Sequence, residues 1–313
     1  MAARRNVDGF AAGLMLVLCM IWGLQQVAIK AAAHDIVPIM QVGLRSGISA
    51  SLVAIFMLLR RERFTLKDGT LLPGLVAGTL FAAEFLFVAK GLEHTSASHM
   101  AIFLYTSPVF TALGLHLKLP AERLTPRQWL GTGIAFGGIV TAFAGGFLGT
   151  AVSPETLKGD FFGILAGAAW GVTTVVIRCS TLSDAPPAKT LIYQLATACA
   201  ILLAYAAATG QSGAVTMTSV AWGSLIFQAV IVSFASYLAW FWLLTRYFAS
   251  RLSAFSFMTP LFGVSFGVIL LHEPIDRYFA VGAALVLSGI TLVSLRSAGR
   301  SRDTVPGLAG EEA

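Results

Sequence analysis

Two stretches of this chain, about 150 residues apart, carry the same landmarks in the same order. Trp22-Gly23 is followed eight residues after the tryptophan by Lys30, and Trp170-Gly171 by Arg178 at the same spacing. Tyr105-Thr106-Ser107-Pro108 in the first stretch answers to Phe257-Met258-Thr259-Pro260 in the second. A glutamate follows each proline (Glu122, Glu273), and then come glycines seven apart, Gly131/Gly138 and Gly282/Gly289. Each stretch holds five apolar runs of bilayer-crossing length. An odd number of crossings leaves the chain on the far side of a membrane, so the second copy must enter upside down. The expected fold class is an all-α integral membrane protein, with ten transmembrane helices arranged as two inverted five-helix repeats.

Composition agrees. The chain is 57% hydrophobic and 12% charged, whereas soluble domains carry about 25% charged residues. The runs lie at 10–30, 38–59, 71–91, 96–117, 129–148, 160–178, 189–208, 220–245, 252–271 and 277–296, near the ~20 residues that cross a bilayer core. The expected division is a first repeat over 1–148, a linker over 149–159, a second repeat over 160–297 and a polar tail over 298–313. Arg4 and Arg5 precede the first run, but it is too long for a cleaved signal peptide and further runs follow. Cys19, Cys179 and Cys199 lack metal or redox spacing and read as packing residues.

Orientation follows from basic residues, which concentrate on the cytoplasmic side. With the N-terminus inside, sixteen of the 21 basic residues fall on that side. Lys30, Lys90, Lys158 and Arg277 fall on the other, and Arg45 lies within a span. Both termini are therefore expected in the cytoplasm. The net charge of +6 reflects this topology and does not point to nucleic acid. The same exchange of sides appears in the repeat, since Lys30 ends span 1 at the outer face while Arg178 ends span 6 at the inner face.

Substrate sites in inverted-repeat folds lie near the midplane between the repeats. Span 1 presents Trp22, Gln25, Gln26 and Ile29 on one helical face, and span 6 presents Trp170, Thr173, Thr174 and Ile177. Two readings stand for these stripes: a polar cavity wall, or hydrogen bonding between helices with tryptophan as packing. Span 8 shows Ser233, Ser236, Tyr237 and Trp240 on one face. Counting back from the matched prolines, Ser236 corresponds to Glu84 in span 3, a carboxylate deep in an apolar helix and a functional candidate by default. Arg45 lies at nearly the same depth in span 2, so an ion pair is sterically feasible. It can be a structural bridge, a site for a charged or zwitterionic substrate, or a proton-coupling site in which Glu84 titrates.

Pro108 and Pro260 fall inside spans 4 and 9, where each should kink its helix. The kinks can be bending points or static fits to the bundle. Gly163/Gly167/Gly171, Gly74/Gly78 and Gly263/Gly267 are spaced for close helix packing. His94 and His99 point to different faces, and His272-Glu273 reads as an interfacial cap. No residues are spaced for a metal, and no cofactor is expected.

The tandem five-span units, the Trp-Gly of spans 1 and 6, the prolines of spans 4 and 9, and the glutamate before a glycine-rich span resemble the EamA family of the drug/metabolite transporter superfamily. The resemblance covers roughly residues 10–297 and rests on the combination in both halves. It implies a ten-helix inner-membrane carrier with a central cavity, often an exporter of amino acids or other small metabolites. The tyrosine of the first-half motif is present as Tyr105, but the second half has Phe257. Glu84 matches no family-wide pattern. The expected partners are a small-molecule substrate and the lipid bilayer; proton or ion coupling and a homodimer are left open. No phosphate-binding G-x-x-x-x-G-K-[ST] loop is present, which favours a secondary carrier working by alternating access. A channel, a non-transporting membrane protein and, less favourably, a membrane enzyme are the alternatives.

Overall fold

The computed structural model describes residues 8–62, 65–119, 124–147, 153–213, 215–247 and 258–294. The described elements are helical apart from an isolated bridge between Ile36 and Val215. In chain order they are α1 (Gly9–Ala31), α2 (Pro38–Leu59), α3 (Leu71–His94), α4 (Ala97–Leu104 and Ser107–Lys118), α5 (Pro126–Phe147), α6 (Pro154–Arg178) and α7 (Pro187–Ala208). Then follow α8 (Ser219–Ile226, Phe227–Ser236 and Tyr237–Arg246), α9 (Met258–Leu271) and α10 (Arg277–Ser294). Among the described residues seven helices are long and apolar enough to cross a membrane, and Met258–Leu271 and Arg277–Leu292 are shorter apolar helices.

Local chemistry sets the helix starts. The side chains of Asp8, Ser96, Ser153 and Thr218 accept hydrogen bonds from backbone N–H groups in the first turns of α1, α4, α6 and α8. Proline stands at the first or second position of α2, α6 and α7, where its missing N–H is harmless. Gly69 and Gly210 adopt φ of +76° and +72° in the loops that lead to α3 and α8, a conformation that favours glycine.

Among the described residues, two spans differ from regular helices. Span 4 breaks at Tyr105–Thr106, and Pro108 sits in the first turn after the break. The break thus lies two to three residues ahead of the proline, which offers no N–H to the Leu104 carbonyl and whose ring crowds it. In the span over the 220–245 run, Phe227–Ser236 is a π-helix between two α-helical segments. Pro260 is the third residue of α9. Residues 248–257, including Phe257, lie outside the described residues, as does Glu122.

Glycines bring helices of the two halves together. A Cβ on Gly282 would lie 2.6 Å from both Gly138 O and Ala142 N, and one on Gly289 would lie 2.5 Å from Gly131 O. Seven residues up α5 correspond to seven residues down α10, so the pair is antiparallel. Moreover, Gly131 meets the repeat counterpart of Gly138, and Gly138 meets the counterpart of Gly131. The first helix of each half likewise packs on the fourth helix of the other. Gly23 lies against Thr259 O, Phe262 and Gly263 N, while Gly171 lies against Ser107 O, Phe110 and Thr111 N. α2 and α7 are also antiparallel, with Gly43 against Leu203 and Gly47 against Cys199. Of these glycines, Gly171 and Gly263 were read from the sequence as close-packing residues, and Gly131, Gly138, Gly282 and Gly289 as repeat landmarks.

Polar clamps join the halves at both ends of the bundle. At one end Lys189 Nζ donates to Asp68 Oδ2 and to Thr65 O, each at 2.5 Å, and Tyr193 and Thr70 hydroxyls are 3.2 Å apart. At the other end Glu273 accepts from Ala97 N (2.7 Å), Ser98 N (2.9 Å) and Ser98 Oγ (2.6 Å), so it caps a helix of the opposite half. Beside it His99 Nδ1 stands 2.9 Å from Asp160 Oδ2, Thr95 Oγ1 donates to Asp160 Oδ1 at 2.5 Å, and the His99 ring stacks on Phe279 at 3.8 Å.

Substituting Gly282 with alanine presses a methyl group onto backbone and should destabilise the protein by about 1–3 kcal/mol. Gly133→Ala on α5, where a Cβ meets nothing within 4 Å, is the control; thermal unfolding in detergent compares them. The Asp68 clamp is pH-dependent. The Lys189 hydrogen bond, helped by Thr70, holds the Asp68 carboxyl at about 2, below its ordinary 3.8. Its stabilisation is present above the ordinary carboxylate range and is lost as pH falls toward about 2. Asp68→Asn should be less stable than wild type at neutral pH, and the difference should shrink over that acid interval.

Candidate functional site

Helices from both halves converge on a buried polar cluster. α2 contributes Arg45, which is fully buried, and α3 contributes Glu84 at 5% exposure. None of the three guanidinium nitrogens of Arg45 has a hydrogen-bond partner among the described residues, and neither has Glu84 Oε2. Of the readings open for this pair, a directly hydrogen-bonded Arg45–Glu84 bridge is not seen among the described residues. Instead the guanidinium carbon lies 4.0 Å from the centre of the Phe85 ring, a cation–π contact that leaves the polar edges of the guanidinium free. Glu84 and the Tyr237 hydroxyl remain within electrostatic reach of Arg45.

Around this centre the aromatic residues are fixed by their neighbours. Trp22 Nε1 donates to Ser236 Oγ at 2.8 Å, and Ser236 Oγ donates to Val232 O at 2.5 Å. The Trp22 and Trp240 rings meet edge to face at 5.9 Å. Trp170 meets Tyr105 in the same way at 5.3 Å, and Tyr105 is within electrostatic reach of Cys19, Tyr237 and Glu84. Ser49 of α2 donates to Ala229 O at 2.9 Å, within the π-helical segment. That segment carries Ser233, whose buried hydroxyl has no partner among the described residues. A π-helix frees carbonyls from the α-helical ladder and is frequent at functional sites.

The sequence candidates divide accordingly. Trp22, Arg45, Glu84, Ser236, Tyr237 and Trp240 belong to one neighbourhood, and Trp170 joins it through Tyr105. Gln25 and Gln26 are buried, and Gln26 Oε1 has no partner among the described residues. Thr173 and Thr174 donate to Ala169 O and Trp170 O of their own helix. Pro108 adjoins the break beside Tyr105, and Pro260 follows Thr259.

Sequence reasoning missed a second polar network. Gln228 Nε2 donates to Gln41 Oε1 (2.9 Å) and Ser224 Oγ (2.8 Å), while Gln41 Nε2 donates to Ile29 O (3.0 Å) and Ile36 O (2.8 Å). Two intramembrane glutamines in spans 2 and 8 were the available signal. The Thr95–His99–Asp160 cluster was missed because its members lie in different runs.

The EamA-like transporter family matches residues 9–144 and 157–295. The chain belongs to this family. It is 23% identical over 277 residues to the uncharacterized transporter YoaV of Bacillus subtilis, covering 88% of this chain and 94% of that protein. It is 24% identical over 290 residues to a probable amino-acid metabolite efflux pump of Salmonella typhimurium, covering 90% of this chain and 93% of the relative. A chain of known crystal structure superposes with a TM-score of 0.65 at 19% identity, over 92% of this chain and 99% of the other. The protein is a multi-pass membrane protein of a transporter family.

An EamA-family chain that held Arg45 for structural reasons should suffer when it is removed. A buried charge without a partner instead costs stability. Replacing both charges together, Arg45→Met with Glu84→Met, removes both buried ions and should therefore leave the solute-free protein as stable as wild type or up to about 4 kcal/mol more stable. Thermal unfolding in detergent checks this; a clear loss of stability would establish a structural role.

Proposed function

We propose that the protein is a secondary transporter that moves a small amphipathic metabolite, an amino acid or a related compound, out of the cell by alternating access. In this reading the two halves, 1–148 and 160–297 joined by the 149–159 linker, are inverted five-helix repeats of a ten-span bundle. Residues 298–313 form a tail, and both termini face the cytoplasm of a bacterial inner-membrane protein. The reciprocal packing of α5 on α10 and of each first helix on the opposite fourth helix supports the inversion. An axis that exchanges two antiparallel spans must run in the plane of the membrane.

The observation that carries the transport reading is the Arg45 guanidinium, fully buried where helices of both halves meet and without a hydrogen-bond partner among the described residues. A buried ion without a partner is costly, and in a transporter family it is accounted for by a polar solute that binds there. Aromatic edges of Trp22, Trp240 and Tyr237 suit the apolar part of such a solute. The efflux pump named among the relatives is in keeping with export of amino-acid metabolites.

Counterflow in proteoliposomes with pooled labelled amino acids and nucleosides tests this. Saturable counterflow in one pool is expected, reduced at least ten-fold in Arg45→Ala; its absence from folded wild-type protein in every pool would overturn the proposal. Glu84 is the candidate for proton coupling. Glu84→Gln should then flatten the pH dependence of flux, and an unchanged profile would remove Glu84 from that role.

A further inference from the structure

The charges of the central cluster belong to one half only. Counting 24 residues back from each matched proline, Glu84 of the first half corresponds to Ser236 of the second. α2 carries Arg45, whereas its counterpart α7 has no charged residue after Lys189 at its start. The second half faces the same centre with hydroxyls and aromatic rings: Ser233, Ser236, Tyr237 and Trp240. The cluster is thus polarised across the pseudo-twofold relation, with two opposite charges on α2 and α3 and a neutral amphipathic wall on α8.

Those two charges do not satisfy each other. A structural ion pair in a dry interior gains by direct, hydrogen-bonded contact, since only that offsets the loss of hydration. Among the described residues the guanidinium nitrogens and Glu84 Oε2 find no hydrogen-bond partner, one guanidinium face rests on Phe85, and each charge lies within electrostatic reach of the other. Two opposite charges held near each other but unbonded are complementary to a molecule that carries the opposite charges in turn. A guanidinium with a free polar edge matches a carboxylate, by its fork geometry. A free carboxylate oxygen matches an ammonium.

Resting on the transport reading above, we infer that the substrate is a small zwitterion bound end-on to the first half, its carboxylate on Arg45 and its ammonium on Glu84. Its apolar body extends toward Trp22, Tyr237 and Trp240. Recognition is therefore asymmetric although the fold is duplicated. A zwitterion also adds no net charge to the buried site, whereas a lone anion or cation does, at a cost in the low-dielectric interior.

Binding of three probes that share one phenyl body tests this on the full chain in lipid nanodiscs by titration calorimetry. L-phenylalanine carries both charges, 3-phenylpropionate the carboxylate alone, and phenethylamine the ammonium alone. Wild type should bind phenylalanine at least ten-fold tighter than either single-charge probe. Glu84→Gln should remove the advantage of phenylalanine over phenylpropionate, and Arg45→Met its advantage over phenethylamine. Arg45→Lys, which keeps the charge but loses the fork, should be intermediate. Equal binding of a single-charge probe by wild type, a ranking insensitive to these substitutions, or no binding of any probe would overturn the inference. Counterflow separates it from the transport proposal: flux with the wrong ranking sinks only the zwitterion site, and the predicted ranking without flux sinks only transport.

Discussion

The close approach of helix backbones across the two halves underlies everything else in this structure. Inside a bilayer, burying apolar surface gives little drive for helices to associate, because lipid is as apolar as leucine. Association has to come from dispersion between closely packed backbones and from a few hydrogen bonds. Gly138 against Gly282 and Gly23 against Gly263 supply the first. The clamps at Lys189–Asp68 and at Glu273 on the start of α4 supply the second. Because the glycines recur at matching positions in both halves, the contact made by one half is repeated by the other.

That framework places polar groups where a continuous apolar core would be more stable. Arg45 is fully buried, and the energy needed to keep it so has to come from the surrounding packing. Phe85 offers one cation–π face, which is worth only ~0.5–2 kcal/mol. The Gln41–Gln228–Ser224 network contrasts with it, since its members exchange hydrogen bonds among themselves and with Ile29, Ile36 and Ala28 carbonyls. The glutamine network ties helices together although Gln228 Oε1 has no partner among the described residues, whereas all three guanidinium nitrogens of Arg45 lack one there.

Helix positions were legible in the sequence because bilayer thickness imposes run length: α2 spans Pro38–Leu59 against an expected 38–59, and α7 Pro187–Ala208 against 189–208. Repeated Trp-Gly, proline and glycine landmarks also marked the duplication, while the surfaces that meet are given by the structure. What escaped was local backbone geometry and pairing. No composition signal distinguishes a π-helix at Phe227–Ser236 from an α-helix, since the choice depends on which carbonyls find other donors, as Ala229 O does in Ser49. Depth matching brought Arg45 and Glu84 to one level but did not determine side-chain direction. Phe85, one residue from Glu84, takes the guanidinium face.

The irregular backbone and the orphaned charges occupy the same region, and each makes the other tolerable. α4 breaks at Tyr105–Thr106 beside the cluster, and Thr106 Oγ1 returns a hydrogen bond to Phe103 O at 2.6 Å. On α8 the Ser236 hydroxyl does the same for Val232 O. Within a membrane such departures are tolerated only where protein groups or a polar cavity satisfy the freed carbonyls. Among the described residues the charges of the cluster fall on α2 and α3, without counterparts on α7 and α8. Duplication therefore supplies a nearly symmetric frame. The residues free to vary within that frame make its centre directional, with a charged wall on one side and an amphipathic wall on the other.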